Sequence, residues 1–165
     1  MTPIERLHRA IDAATAPLEA RHAERLKCRE GCSSCCVDDI EVFEVEALRI
    51  RQHCGEVLAS APHPAGGCAF LDATGRCRIY AHRPYVCRTQ GLPLRWHEER
   101  DGEVVELRDI CPLNEPGEPI AEIDPASCWT LGAAEDHLAR LQREHGKMKR
   151  VRLRDLFRPH TIGRE

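Results

Sequence analysis

The feature that most constrains this chain is a cluster of cysteines in a polar segment, Cys28-Arg-Glu-Gly-Cys32-Ser-Ser-Cys35-Cys36. A cysteine that only fills a core behaves as a small hydrophobic residue, whereas charged and hydroxyl side chains separate these four. Thiolates bind zinc, iron–sulfur clusters and Cu(I), and thiols can also pair as disulfides. The cluster is therefore present for the chemistry of its sulfur atoms.

Metal ligation is favoured over disulfides. The chain has 165 residues and ten cysteines. We find no basic-then-apolar signal sequence and no run of about eighteen apolar residues, so we expect a cytoplasmic protein without a membrane partner. Cytosolic thiols stay reduced. The alternative is a secreted fold held together by disulfides. Adjacent cysteines such as Cys35 and Cys36 are difficult to accommodate in a set of intrachain disulfides.

The composition predicts one domain over residues 1–165. Charged residues make up 31% of the chain and aromatic residues only 4%, which leaves a thin core. Bound metal would add folding free energy on the order of 10 kcal/mol. We expect an α+β, mainly α fold with two short β-hairpins and irregular loops around a cysteine-ligated metal site. The net charge of -3 gives no reason to expect nucleic acid as a partner.

Helix signals frame the first cluster. Thr2-Pro3 with Glu5 forms a capping box that predicts a helix start, and Pro17 should kink or restart this helix. Residues 18–27 would then form a second helical piece that leads to Cys28. Residues 44–54 are predicted to form another helix that Gly55 stops.

The later cysteines fall beside turns. Residues 68–77 read as two short strands around a glycine turn, with a cysteine at each open end. Pro84 predicts a short helix that carries Cys87. Asp101-Gly102 predicts a hairpin that returns to Cys111. A last helix is predicted over residues 131–146.

We interpret Cys54, which ends an amphipathic helix, as a buried structural residue. Cys128 adjoins a tryptophan and fits packing as well as ligation, and both cysteines are left out of the predicted site. A zinc ion takes four ligands with sulfur about 2.3 Å away, and ligand pairs come from tight turns, as with Cys32 and Cys35. The remaining eight cysteines are the predicted metal ligands: Cys28, Cys32, Cys35, Cys36, Cys68, Cys77, Cys87 and Cys111.

The spacing of these cysteines resembles that of the YkgJ-type cysteine-cluster family. The resemblance is carried by Cys28-x3-Cys32-x2-Cys35-Cys36, by Cys68-Ala-Phe-Leu-Asp with Gly75-Arg-Cys77, and by Arg83-Pro84-x2-Cys87-Arg88, over residues 28–111. It implies a core that chelates zinc or iron. Flagellin lysine N-methylases share a similar cluster, which raises an alternative: a [4Fe-4S] protein with redox or methyltransferase-related activity. The first spacing also matches radical-SAM enzymes, but those have a much larger barrel.

Zinc and iron both stay open as the metal. Cys111-Pro112 is similar to the ending of ferredoxin-type ligand runs and favours iron, whereas ligands on turns and hairpins favour zinc. Arg83 and Arg88 belong to the matched motif and are the predicted cofactor-binding residues, because arginines near the cysteines could donate hydrogen bonds to sulfur. Arg29, Arg76 and Arg78 are weaker candidates for the same role.

Several other residues are expected to be structural. His8 and His22 are predicted to be solvated on helix faces, and Tyr80 and Tyr85 to pack. The basic tail over residues 143–165 is interpreted as a solvated face that balances acidic residues elsewhere. A partner-binding or nucleic-acid-binding tail is the alternative.

The division into ligands and core residues gives a first prediction. Replacing Cys32 or Cys87 by serine should lower metal content and melting temperature together, because each change removes a ligand. Cys54→Ser should alter stability only modestly. Metal analysis and thermal denaturation measure both effects, and equal metal loss in all three variants would show the division to be wrong.

Overall fold

The computed structural model describes residues 1–29 and 31–157. Its helices are α1 (Pro3–Arg21), α2 (Glu44–His53), α3 (Gly55–Leu58), α4 (Tyr85–Arg88) and α5 (Ala133–His145). Its strands are β1 (Glu41–Phe43), β2 (Leu94–Arg100), β3 (Glu103–Asp109), β4 (Trp129–Thr130) and β5 (Arg150–Arg152). The predicted α+β class is confirmed. Among the described residues, no helix combines the length and the apolar character needed to span a membrane.

The chain divides into two compact units. The first contains Met1–Arg29 and Pro84–Arg140, and the second contains Glu30–Arg83 and Leu141–Glu165. Each unit therefore combines segments that are distant in sequence. The predicted cysteine ligands fall in both units.

Helix α1 begins in the first unit as predicted. The Thr2 hydroxyl accepts a hydrogen bond from the Glu5 N–H, and the Glu5 carboxylate accepts one from the Thr2 N–H. The expectation that Pro17 restarts the helix is wrong, because α1 continues to Arg21. Pro17 is exposed, so water can satisfy the Ala13 carbonyl that loses its helical partner.

The first unit also contains a three-stranded sheet in the order β3-β2-β4. The predicted hairpin of β2 and β3 is confirmed, with Leu94 opposite Asp109 and Arg100 opposite Glu103. Its turn requires positive φ values of 53° at Asp101 and 83° at Gly102. An Asp-Gly turn tolerates this conformation and matches the twist of the strands. The hairpin leads β3 back toward Cys111.

The second unit is built around α2 and a two-stranded antiparallel sheet. Strand β1 pairs with β5 through Val42 and Val151, and Ala47 and Ile50 of α2 are buried in the same core. Gly55 does not act as the expected stop. Helix α2 ends at His53, and Gly55 begins α3.

The segment over residues 68–77 is a turn with one β-bridge rather than two strands. Leu71 and Cys77 form that bridge. The Asp72 carboxylate accepts hydrogen bonds from the backbone N–H groups of Thr74 and Arg76. These N–H groups are held by a side chain instead of a strand partner, which explains why the ladder is not extended.

Three basic residues in the described part of the tail are paired with acidic residues. Lys149 contacts Glu44 at 2.6 Å, and Arg152 contacts Glu41 at 3.5 Å. Arg154 also forms an ion pair, with Asp38. These contacts agree with a tail that balances acidic residues of its own unit. Residues 158–165 lie outside the described residues.

The expectation that the two histidines are solvated and the expectation that Tyr80 is packed are both wrong. His8 and His22 are buried, with exposed fractions of 2% and 9%. A ring nitrogen of His22 lies 2.7 Å from the Ser127 carbonyl, which replaces water as its partner. Tyr85 packs as predicted, whereas Tyr80 is 65% exposed.

The sheet of the first unit gives a pH-dependent prediction. The side chains of Arg108 and Arg95 donate hydrogen bonds to Glu106 and hold its pKa below its ordinary value of 4.5. A lowered folded-state pKa stabilises the fold above the unfolded value, and this stabilisation is lost as the pH falls through the folded value. Glu106→Gln should therefore lower the melting temperature at neutral pH.

The difference in melting temperature between wild type and Glu106→Gln should vanish in acid, where Glu106 itself is protonated. Glu103→Gln, at the exposed start of β3, is the matched control and should change little at any pH. A difference for Glu106→Gln that persists in acid would contradict the assignment.

Candidate metal centre

Three predicted ligands lie in the first unit, each beside a helix or turn. Cys28 follows α1, Cys87 lies within α4, and Cys111 precedes a 3₁₀ turn over Pro112–Asn114. The sequence favours a turn that starts at Pro112. Proline has no backbone N–H, but an N–H at the first helical position would have no helical partner, so nothing is lost there. Cys28 is exposed, and Cys87 and Cys111 are half-buried.

One buried side chain links the segments that carry these cysteines. Asn114 Oδ1 accepts a hydrogen bond from the Lys27 N–H at 2.7 Å. Its Nδ2 donates to the Gly91 carbonyl at 2.8 Å and to Cys28 Sγ at 3.4 Å. The Asn114 N–H donates to the Cys111 carbonyl at 2.8 Å. Asn114 thus joins the Cys28 segment, the Cys111 segment and the chain that follows α4.

Sequence reasoning missed Asn114. Its exposed fraction is 0%, and a fully buried amide must have its hydrogen bonds satisfied. The sequence places it in a loop rich in proline, glycine and glutamate, where asparagine usually marks a turn. Its position soon after Cys111-Pro112 was the available signal.

Thiols in the second unit collect around its core. Cys54 and Cys68 belong to the buried core cluster, and Cys36 and Cys77 pack against it. The Cys68 N–H donates to the Cys36 carbonyl at 2.8 Å, which ties the first cluster to the later segment. The prediction that Cys54 is buried is confirmed. Its neighbours include other cysteines, which the sequence did not indicate.

The segment with Cys32 and Cys35 lies against the turn before Cys77. The Cys36 N–H donates to the Ser33 carbonyl at 2.9 Å, which closes a turn. A Cβ placed at Gly75 would lie 3.4 Å from the Gly31 carbonyl oxygen and 3.5 Å from Ser33 Oγ. The two turns are therefore close to van der Waals contact within this unit.

Local surroundings give the thiols of the second unit different acidities. The Cys36 side chain hydrogen-bonds the Cys35 sulfur and lowers the pKa of Cys35 from 9.0 to about 6. Burial raises the pKa of Cys68 and Cys77, and the neighbouring Cys68 and Cys54 thiolates add to the rise at Cys77. At neutral pH Cys35 is mainly a thiolate, whereas a metal would have to displace a proton from Cys68 and Cys77.

The predicted arginines have protein partners. The Arg88 side chain is buried and donates to both oxygens of Asp12, at 2.7 and 2.6 Å. Its Nε is buried without a hydrogen-bond partner among the described residues. The Arg83 guanidinium lies 4.1 Å from the centre of the Tyr80 ring. Arg88 therefore retains one unused donor beside Cys87 in sequence, whereas Arg83 stacks on an exposed ring.

The side chains do not form a finished coordination sphere. Within residues 1–29 and 31–157, no three or more His, Cys, Asp or Glu side chains are placed to hold a metal ion. Instead, each unit brings several cysteine-bearing segments into contact. Thiol and thiolate donors are the types that zinc and iron–sulfur clusters take, so the chemistry of the donor set fits either metal.

These features define a small cysteine-cluster domain. The chain belongs to the CxxCxxCC family, whose model is described as a "putative zinc- or iron-chelating domain" and matches residues 27–112. That match covers more than half of the chain and confirms the predicted family. The chain has three residues, not two, between Cys28 and Cys32. Neither the comparison with curated proteins nor that with solved structures gave a match.

Proposed function

We propose that this protein chelates zinc or iron through cysteine thiolates in the cytoplasm. The proposed ligands are the eight cysteines predicted from spacing. The family match supports chelation. The observation that carries the proposal is the linkage of the cysteine-bearing segments, through Asn114 in the first unit and through the Cys36–Cys68 backbone contact in the second.

The donor set restricts the metal. Calcium and magnesium take oxygen ligands, whereas thiolates select zinc, Cu(I) and iron–sulfur clusters. In the second unit, Cys35 supplies a thiolate near neutral pH. A bound ion would supply the attraction that draws further sulfurs together, and its binding free energy would add to the stability of the fold.

A [4Fe-4S] cluster is the second form of the same proposal. The unpartnered Arg88 Nε is a potential hydrogen-bond donor to sulfur, and hydrogen bonds to sulfur tune cluster potentials. Anaerobic purification separates the two forms, because an iron–sulfur protein is brown and absorbs visible light while a zinc protein is colourless. Redox or methyl-transfer chemistry would require the iron form.

Differential alkylation tests the proposal thiol by thiol. Each cysteine is alkylated before and after chelator treatment under reducing conditions and is quantified by mass spectrometry. Exposed Cys28 and half-buried Cys32 and Cys111 should react in metal-free protein and be protected when metal is bound, because a coordinated thiolate is a weaker nucleophile.

Buried Cys54 and Cys128 are internal controls. They should react slowly with or without metal, because burial rather than coordination limits their access. Equal alkylation of Cys28, Cys32 and Cys111 in the two preparations, or a preparation without stoichiometric zinc or iron, would overturn the proposal.

A further inference from the structure

The Asn114 amide has a defined orientation. Its oxygen faces the Lys27 N–H, which can only donate, so Nδ2 must face the Gly91 carbonyl and Cys28 Sγ. The two Nδ2 hydrogens match these two acceptors. The reversed amide would place a donor against the Lys27 N–H and its oxygen against the Gly91 carbonyl. The N–H···S contact to Cys28 is therefore fixed by the other bonds of the same buried side chain.

Gly91 provides the space in which the Cys28 sulfur lies. A Cβ built at Gly91 would lie only 2.3 Å from Cys28 Sγ and 3.1 Å from Asn114 Nδ2. A carbon and a sulfur cannot approach this closely without a bond, so any side chain here would displace the thiol. Gly91 also has a φ of +90°, a conformation that glycine adopts most readily.

We propose that Asn114 is a positioning residue for Cys28, which holds the sulfur by an N–H···S hydrogen bond in a space that Gly91 leaves open. This inference rests on the proposed function, because it treats Cys28 as a ligand. Asn114 lies beyond the family match, which ends at residue 112. The buried amide holds the sulfur from one side by this hydrogen bond. Cys28 is exposed, so an incoming ion can reach the sulfur from the other side.

The hydrogen bond has two consequences for a bound metal. A preformed ligand loses less conformational freedom on binding, so the affinity rises. A donor to the sulfur also withdraws electron density from the metal–sulfur bond, as the outer contacts of metal sites generally tune their ligands. Loss of Asn114 should therefore change both the affinity and the electronic spectrum of the site.

Cobalt(II) is a suitable probe, because its thiolate charge-transfer absorption reports directly on sulfur donation. Asn114→Ala in the full chain should weaken cobalt binding about 10–100-fold, the range seen when outer-shell partners are removed. The charge-transfer band should also move to lower energy, because a sulfur without the hydrogen bond is the better donor. Circular dichroism measures whether the variant keeps its helices.

Gly91→Ala and Gly102→Ala form a matched pair that separates the effect on sulfur from backbone strain. Both glycines have positive φ, +90° and +83°, but a Cβ at Gly102 meets no atom within 4 Å. Gly91→Ala should reduce cobalt affinity, whereas Gly102→Ala should not. If Asn114→Ala fails to fold, the comparison of Gly91→Ala with Gly102→Ala still tests the proposal.

The outcomes separate this inference from the proposed function. Wild-type protein that binds no cobalt with thiolate charge transfer would overturn both. Wild-type binding that Cys28→Ser weakens, while Asn114→Ala and Gly91→Ala leave the affinity and the band unchanged, would overturn the role of Asn114 alone.

Discussion

Before a metal binds, cysteine side chains attract one another only weakly, and the rest of the structure depends on this constraint. Ionised sulfurs repel one another, and neutral thiols form only weak hydrogen bonds. The cysteine-bearing segments must therefore be held by other contacts before any metal binds. In the first unit this is done by the Asn114 amide, and in the second by a backbone hydrogen bond from Cys68 to Cys36 and by packing in a common core.

Charge pairing complements this arrangement. The chain has few aromatic residues with which to enlarge its core, and ionic contacts tie distant segments together. Arg154 contacts Asp38 and also donates to the carbonyls of His63 and Gly67, which precede Cys68. Arg88 contacts Asp12 on α1. Basic residues close to the cysteines thus order their segments, whatever they contribute to a bound metal.

The sequence predicted features that rest on local rules or on spacing. The capping box at Thr2 and the Asp101-Gly102 hairpin follow from local backbone chemistry, and the family follows from cysteine spacing. The hairpin before Cys77 was predicted wrongly, because a side chain caps its turn. The contact of His22 with Ser127 and the bonds of Asn114 depend on partners far away in sequence, which no local pattern reveals. The eight-ligand set stays a prediction.

The most direct measurement is X-ray absorption at the zinc and iron edges of the protein purified anaerobically. The proposed chelation predicts stoichiometric metal with a shell of sulfur neighbours, at about 2.3 Å if the metal is zinc. Iron neighbours around each iron atom, bridged by inorganic sulfide, would identify the cluster form. A metal surrounded only by oxygen and nitrogen, or no bound metal at all, would contradict the account.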